Sequence, residues 1–536
     1  MKKQYYASPP PLRSSPSPRT LRRRSGQAWR GGWGVTSLNL LLLILFFVTS
    51  NSVYSNTFGA YGVGKYMGQS GSGAALVYDQ NAAFMNPAGL AYPRGIDFFK
   101  KEFNFFEKRA ETKVEEVPIE KPVFDEQGEK IRLERPAMIN LTDQGEKAPM
   151  TDDKEPPIHF LGIGYKQVFG GLKIAPSGNN PWANKKVRDQ EESLGTSILE
   201  LGAVIDARAL VTIPWNIPVK IGFLGHINPG GSVASPVTLS ESSYNFVRAG
   251  NNVNVISIQV SAGVQVWKNR LSIGVGQDSN TDVKGHMYVR NISLNETTPL
   301  YVNAKVNLKS TPSPTASILY RQPIKTGYDL FLTFIYRGRV DVSSEVTTDV
   351  DLPLGISSSS TTVGKMMVLP HRFVFGSALV WSIFKTALDF DYHKWSDAKL
   401  NPALEALEHP LWFKDSFIIR TGFDSELPFH PFLKKYLVKA RTGYAYVSPY
   451  TPDQTQWSNY LDNHKHIFSL GGSMVLPALG IMKYPVMLDL SFQWQYWVPR
   501  ETKKDGAYTF PDNSIQPNYN YGGNIFQLQM NFTWKF

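Results

Sequence analysis

The chain of 536 residues contains no cysteine, which excludes disulfides, cysteine-ligated zinc and thiol catalysis. It also lacks acidic residues where its basic excess is greatest. Residues 1–55 hold eight Lys or Arg and no Asp or Glu, and the rest holds 48 basic against 45 acidic residues. The formal charge of +11 therefore belongs to the leader, and nucleic-acid binding loses its main support. After residue 55 no apolar run is long enough to cross a bilayer as a helix, which needs about 20 residues. No catalytic constellation stands out, and no cofactor or resident metal is expected.

The leader has the parts of a secretory signal. Lys2, Lys3 and the Arg19–Arg30 cluster form a long basic n-region, Leu38 to Val48 is apolar, and Val53-Tyr54-Ser55 suits cleavage before Asn56. An uncleaved anchor is the rival reading, and the apolar run is short for one. The exported remainder carries 12 Trp, 25 Tyr and 31 Phe. It is either a soluble β protein or an outer-membrane barrel.

The C-terminal stretch favours the barrel. Phe526, Leu528, Met530, Phe532, Trp534 and Phe536 alternate with Gln527, Gln529, Asn531, Thr533 and Lys535. Eleven residues of unbroken period-2 alternation suit a tilted strand that crosses a bilayer. A soluble edge strand ending this way would invite aggregation. The pattern recurs at Val486–Tyr496, Ile256–Val266, Val302–Leu308 and Leu388–His393. Short connections are expected at Phe169-Gly170-Gly171, Trp215-Asn216-Ile217, Lys268-Asn269, Ile383-Phe384 and Ala478-Leu479-Gly480. They alternate with long polar stretches, the short-turn, long-loop asymmetry of outer-membrane barrels. Counting segments this way gives up to sixteen strands. The stretch 107–157, with 14 acidic and 9 basic residues, reads as a solvated external loop.

Phe58–Tyr92 is different: glycine-rich, without helical or strand periodicity, and ending in Asn86-Pro87-Ala88-Gly89-Leu90. Asn86 before a proline is pushed out of the α region and is expected to cap a later N–H, and Pro87 suits the first position of a short helix. A segment of small residues with no core pattern of its own is expected to pack inside something else.

Several phrases in order resemble the long-chain fatty acid outer-membrane transporter family (FadL/TodX type). They are Gly68–Ala75 with Asp79, Ala82–Phe84 and Asn86-Pro87-Ala88; Leu172–Gly178; Leu369-Pro370 with Gly376; Leu388-Asp389 with Tyr392–Ser396; Trp412–Gly422; Ala440–Ala445 with Ser448-Pro449; and Phe468–Gly471. The resemblance implies an all-β transmembrane antiparallel barrel of 14 strands over residues 94–536, with residues 56–93 as an N-terminal hatch inside the lumen. Asp79, Phe84, Asn86, Pro87, Ala88 and Gly89 are its expected structural or gating residues. The implied function is passive uptake of fatty acids or other hydrophobic compounds, such as aromatic hydrocarbons, in the outer membrane of a Gram-negative-type bacterium. Pro176, which lacks a ladder N–H, is a candidate kink for a lateral exit. Further expected partners are membrane lipid, lipopolysaccharide and the barrel-assembly machinery, through the strand ending at Phe536, with the chain a monomer. The motifs name no substrate-binding residue. A general porin and a structural or adhesive barrel are the alternatives.

Two clusters have both sharp and bland readings. His464 and His466 share a strand face and suit a metal or ordinary strand-end polarity. Asp389 and Asp391 resemble paired carboxylates, or partners for Arg, Lys or the hatch.

Overall fold

The computed structural model describes residues 64–92, the pairs 123–124 and 130–131, and 158–535 apart from 177–189, 212, 214–216, 229–232, 237–245, 250–253, 294–298, 326, 353–355, 398–412, 428–436, 452–461, 477–485 and 503–518. The chain divides into two compact units, Met1–Leu43 and Ile44–Phe536, and the first has no described residue. The expected signal peptide, the start of the expected hatch, Trp412 and Phe536 lie outside the described residues. So does most of 107–157, where Val123–Phe124 pairs with Lys130–Ile131.

Fourteen antiparallel strands close a barrel. In chain order they are β1 (Phe160–Pro176), β2 (Gln190–Asp206), β3 (Val219–Asn228), β4 (Asn254–Trp267), β5 (Leu271–Ser293), β6 (Ser313–Lys325) and β7 (Tyr328–Arg337). The second half is β8 (Arg372–Trp381), β9 (Phe384–His393), β10 (Ser416–Glu426), β11 (Leu437–Val447), β12 (Lys465–Leu476), β13 (Val486–Thr502) and β14 (Tyr519–Lys535). Each pairs with its neighbour, and β14 returns to β1 from Lys535↔Phe160 to Tyr519↔Pro176. Closure leaves the ring no free edge and pairs its backbone polar groups internally, as hydrocarbon requires.

The expected count of up to sixteen exceeds the ring for two reasons. Phe169-Gly170-Gly171 is not a turn, because β1 runs through it. Gly170 has φ +141°, and a Cβ there would lie 2.4 Å from the Asn524 carbonyl oxygen. A glycine that reads as a turn thus marks a close approach of β14. The alternating stretch Val302–Leu308 also lies off the ring. It belongs to Pro299–Ser310, which pairs with the distal half of β5 and with Val340–Leu352. That strand pairs in turn with Ile356–Leu369, so the hairpins β5–β6 and β7–β8 are extended by a four-stranded sheet.

The period-2 pattern sets the orientation of the wall. Leu388, Leu490 and Leu528 are 53%, 50% and 51% exposed, while Asp391, Gln493 and Gln529 are fully buried. Tight turns at Lys268–Arg270 and Ser382–Ile383 lie at one end of the barrel and the long connections at the other. Outward aromatic neighbours cluster near both ends. Phe417, Tyr446 and His464 lie at the loop end, and Trp381, Phe384 and Phe423 at the turn end. An apolar outer face between aromatic girdles makes the chain an integral outer-membrane barrel, with short turns on the periplasmic side.

Candidate functional site: the inner segment and its cradle

Residues 64–92 lie against the inner wall, and nearly all of them are buried. Small residues permit this: the segment folds into a 3-10 helix Gly64–Gln69, a single helical turn Ala82–Met85 and a 3-10 helix Pro87–Ala91. Its irregular backbone cannot pair with itself throughout, so wall side chains satisfy it. Asp389 accepts from the backbone N–H of Gly73 (2.8 Å) and Ala74 (3.0 Å). The Ser261 hydroxyl donates to the Ala83 carbonyl and the Ser272 hydroxyl to the Ala91 carbonyl, each at 2.7 Å. The Ala88 N–H donates to Ser317 Oγ at 2.8 Å. Ser70 and Ser469 hydroxyls meet at 2.7 Å.

The wall comes close because it is glycine there. A Cβ on Gly274 would lie 2.2 Å from the Ala88 nitrogen, and one on Gly443 2.3 Å from the Gln69 carbonyl carbon. These glycines pair across strands with Gly263 and Gly422, which also face the segment. Sequence reasoning missed this belt. Its signal was present: isolated glycines on the polar phase of otherwise regular strands, which mark close backbone approach.

Each expected hatch residue falls inside this region. Asp79 pairs with Lys65 at 3.1 Å and accepts from the Asn81 backbone (3.0 Å) and amide (2.9 Å), so its bonds are internal to the segment. Phe84 packs with Val77, Met85, Leu90, Val204 and Leu224. The Arg337 guanidinium lies 4.4 Å from the Phe84 ring centroid and donates to the Phe84 carbonyl. Gly89 is forced by contact, since a Cβ there would meet the Val77 carbonyl oxygen at 2.1 Å.

Asn86 departs from expectation. It is extended (φ −158°) and precedes the helix that Pro87 begins, but its side chain makes no cap bond. Its amide donates instead to the Ala74 carbonyl (2.8 Å) and to Thr333 Oγ1 on β7 (3.0 Å). Only its backbone carbonyl serves the helix, accepting from the Gly89 N–H at 2.8 Å. The residue ties two parts of the segment to the wall. Pro176 stands far from these groups in sequence, as the last residue of β1, paired with Tyr519.

Asp389 and Asp391 do not share a proton-handling site. Asp389 holds the segment, whereas Asp391 takes Arg372 and Arg420 and stands 3.0 Å from His393. His464 and His466 share an outward face, where they meet the Tyr446 hydroxyl at 2.6 Å and the Tyr444 hydroxyl at 2.8 Å. Among the described residues no metal-ligating cluster occurs. Trp381 and Trp494 face outward, whereas Trp497 is buried and Trp395 stacks on Tyr450 at 4.1 Å.

No family model matches the sequence, and no curated protein matches it. Among solved structures the chain is similar to a Pseudomonas aeruginosa FadL homologue. Identity is 11% and the TM-score 0.52, with 88% of this chain and 99% of that one covered. It is also similar to the P. putida toluene transporter TodX, at 12% identity and TM-score 0.49, covering 89% and 99%. The Ralstonia pickettii toluene transporter TbuX follows at 12% identity and TM-score 0.45, covering 89% and 100%. At such low identity it is the fold that the first likeness establishes.

Proposed function

We propose that the chain is a passive transporter that takes long-chain fatty acids or other hydrophobic compounds across the outer membrane. The inner segment carries this reading: a general porin needs water where residues 64–92 are buried against the wall. An apolar solute does not readily cross the polar outer leaflet, and a barrel gives it a route. On the loop side of the segment the inner wall carries an apolar strip of Ile418, Ala445, Val447 and Ile467. Burying apolar solute surface there is favourable at about 25 cal/mol per Å². The named transporters among similar structures, a FadL homologue and two toluene transporters, agree with this substrate class.

The segment acts as a hatch, and its first ten residues, Gly64–Gly73, are the part that moves. They meet β10–β13 through hydroxyls and glycine backbone, contacts that water or a solute replaces at low cost, and Gly73 at their end is held by Asp389 on β9. The solute then leaves toward the periplasm, or sideways near Pro176, where β1 lacks a ladder N–H. In the same reading the barrel is a monomer among lipid and lipopolysaccharide, and the assembly machinery receives its last strand at Phe536.

The test is uptake of labelled oleate and toluene by cells making the chain, with arabinose as the polar control. Uptake of either hydrophobe without arabinose entry is expected, and deletion of residues 56–93 should admit arabinose. Free entry of arabinose through the intact chain would replace this reading with a porin.

A further inference from the structure

The inner face of β13 and β14 is uncharged over a long stretch. Trp497, Gln495, Gln493 and Ser491 point inward on β13, with Gln527, Gln529 and Asn531 on β14. The register sets Gln493 beside Gln527 and Ser491 beside Gln529. From Trp497 to Ser491 this lane is about 20 Å long at about 3.3 Å per residue. It begins near the loop end and stops at the inner segment. There a Cβ on Gly68 would stand 3.1 Å from Ser491 Oγ, and the Gln80 amide donates to Thr533 at 3.2 Å.

The lane is only partly satisfied. The Gln495 amide donates to Gln493 at 3.2 Å, and the Gln529 amide to Glu200 at 2.7 Å and Asn531 at 3.2 Å. Six buried polar atoms on these two strands have no protein partner: Trp497 Nε1, Ser491 Oγ, Asn531 Nδ2 and the side-chain oxygens of Gln495, Gln527 and Gln529. Buried polar groups are normally bonded, and six in one stripe form a pattern, not scatter. Three are amide oxygens, two are N–H donors and Ser491 Oγ is either, so the partner that suits them is a group that both donates and accepts, as a hydroxyl does.

The neighbouring wall supplies the other half of a site. Ile467 on β12 is registered beside Gln495, and Ile525 on β14 flanks the same glutamine. Beyond Ile467 lie Ala445, Val447 and Ile418. One side of the route thus offers apolar surface and the adjoining side offers neutral polar groups.

We propose that this lane binds the neutral hydrogen-bond donor of an amphiphilic solute, a hydroxyl on an otherwise apolar body such as an alkylphenol or a long-chain alcohol. The inference rests on the transport reading above and narrows its substrate class. The apolar body lies along Ile418, Ala445, Val447 and Ile467, while its hydroxyl steps from Gln495 toward Ser491 and reaches the hatch at Gly68. An anion gains nothing from a row of amide oxygens, and a pure hydrocarbon leaves them unpaired.

The experiment compares p-cresol with toluene, which differ by the hydroxyl. Equilibrium binding to the purified barrel is expected to favour p-cresol by about five-fold, the scale of one net hydrogen bond to a buried acceptor. Gln495→Met with Gln527→Met should bring that ratio to about one. Gln529 is left intact because it also serves Glu200. Heat-modified gel migration checks assembly, and Ser491→Ala is the milder variant should the pair assemble poorly. A ratio of one in the unaltered chain, or a preference that survives these substitutions, overturns the lane. If the acceptors serve water alone, that is the result obtained. Toluene uptake by cells with a ratio of one sinks only the lane; uptake of neither solute nor oleate sinks the transport reading itself.

Discussion

The two ends of the inner segment are held in different ways. Gly64–Gly73 contains four glycines and lies against β10–β13, with Ser70 bonded to Ser469 and Gln69 pressed on Gly443. Ala82–Tyr92 lies against β2–β7 and buries Phe84, Met85 and Leu90 with wall residues Val204 and Leu224. Polar contacts of the first kind exchange with water at a net cost of about 1 kcal/mol each. Fully burying a large apolar side chain is worth about 1.5–3 kcal/mol, and no water replaces it. In the transport reading proposed above the second end is the anchor and the first, although it buries Tyr66 and Met67, is the flap.

Breaking the anchor should have the largest effect. Leu90 is fully buried, and Leu90→Ala should destabilise the folded barrel by about 2–5 kcal/mol, read as a lower midpoint in denaturant gel-shift assays. A smaller loss there, with more uptake instead, would reverse the assignment of the two ends. The glycine belt sharpens the comparison next. Gly274→Ala drives a methyl into the Ala88 backbone at the anchor and should cost about 3 kcal/mol of stability. Gly443→Ala presses equally hard on Gln69, but there the flap yields: stability should fall by less than about 1 kcal/mol while arabinose leaks.

Asn86 joins the second end to the middle of the segment and to the wall, because its amide reaches both Ala74 and Thr333. Asn86→Ala with Pro87→Ala should cost about 1–2 kcal/mol, leave assembly intact on heat-modified gels, and change the oleate uptake rate. Unchanged uptake would show that the join plays no part. The smallest stability effect is expected at the flap: Ser70→Ala should cost about 0.5–1 kcal/mol yet raise the initial rate of uptake. A lower rate would mean that Ser70 helps transport and does not restrain it.

The wall of this molecule was legible in its sequence because a barrel strand is a local pattern. Leu388 against Asp389, and Leu528 against Gln529, declare inside and outside two residues at a time. Strand number was less legible, since Pro299–Ser310 alternates as ring strands do and only its partners place it beyond the ring. The inner segment was recognisable by its lack of periodicity and by its resemblance to a hatch. Its bonds were not, since they join residues hundreds of positions apart. Local capping rules predict Asn86 as a cap, and Thr333, 247 residues away, takes its amide instead. The unpaired stripe on β13 and β14 shows the same limit: period-2 patterning says that Gln495 and Gln527 face inward, and only the assembled wall says that their oxygens meet no donor.

Because the chain has no cysteine of its own, the flap can be tied by a single engineered disulfide. Ser70→Cys with Ser469→Cys replaces two hydroxyls 2.7 Å apart, close to the span of a disulfide. Ala88→Cys with Ser317→Cys ties the anchor at the site of the 2.8 Å bond between Ala88 and Ser317. Oleate uptake should stop when the first pair is oxidised, return on reduction, and continue when the second pair is oxidised. Continued uptake with the 70–469 disulfide fully formed would contradict the account.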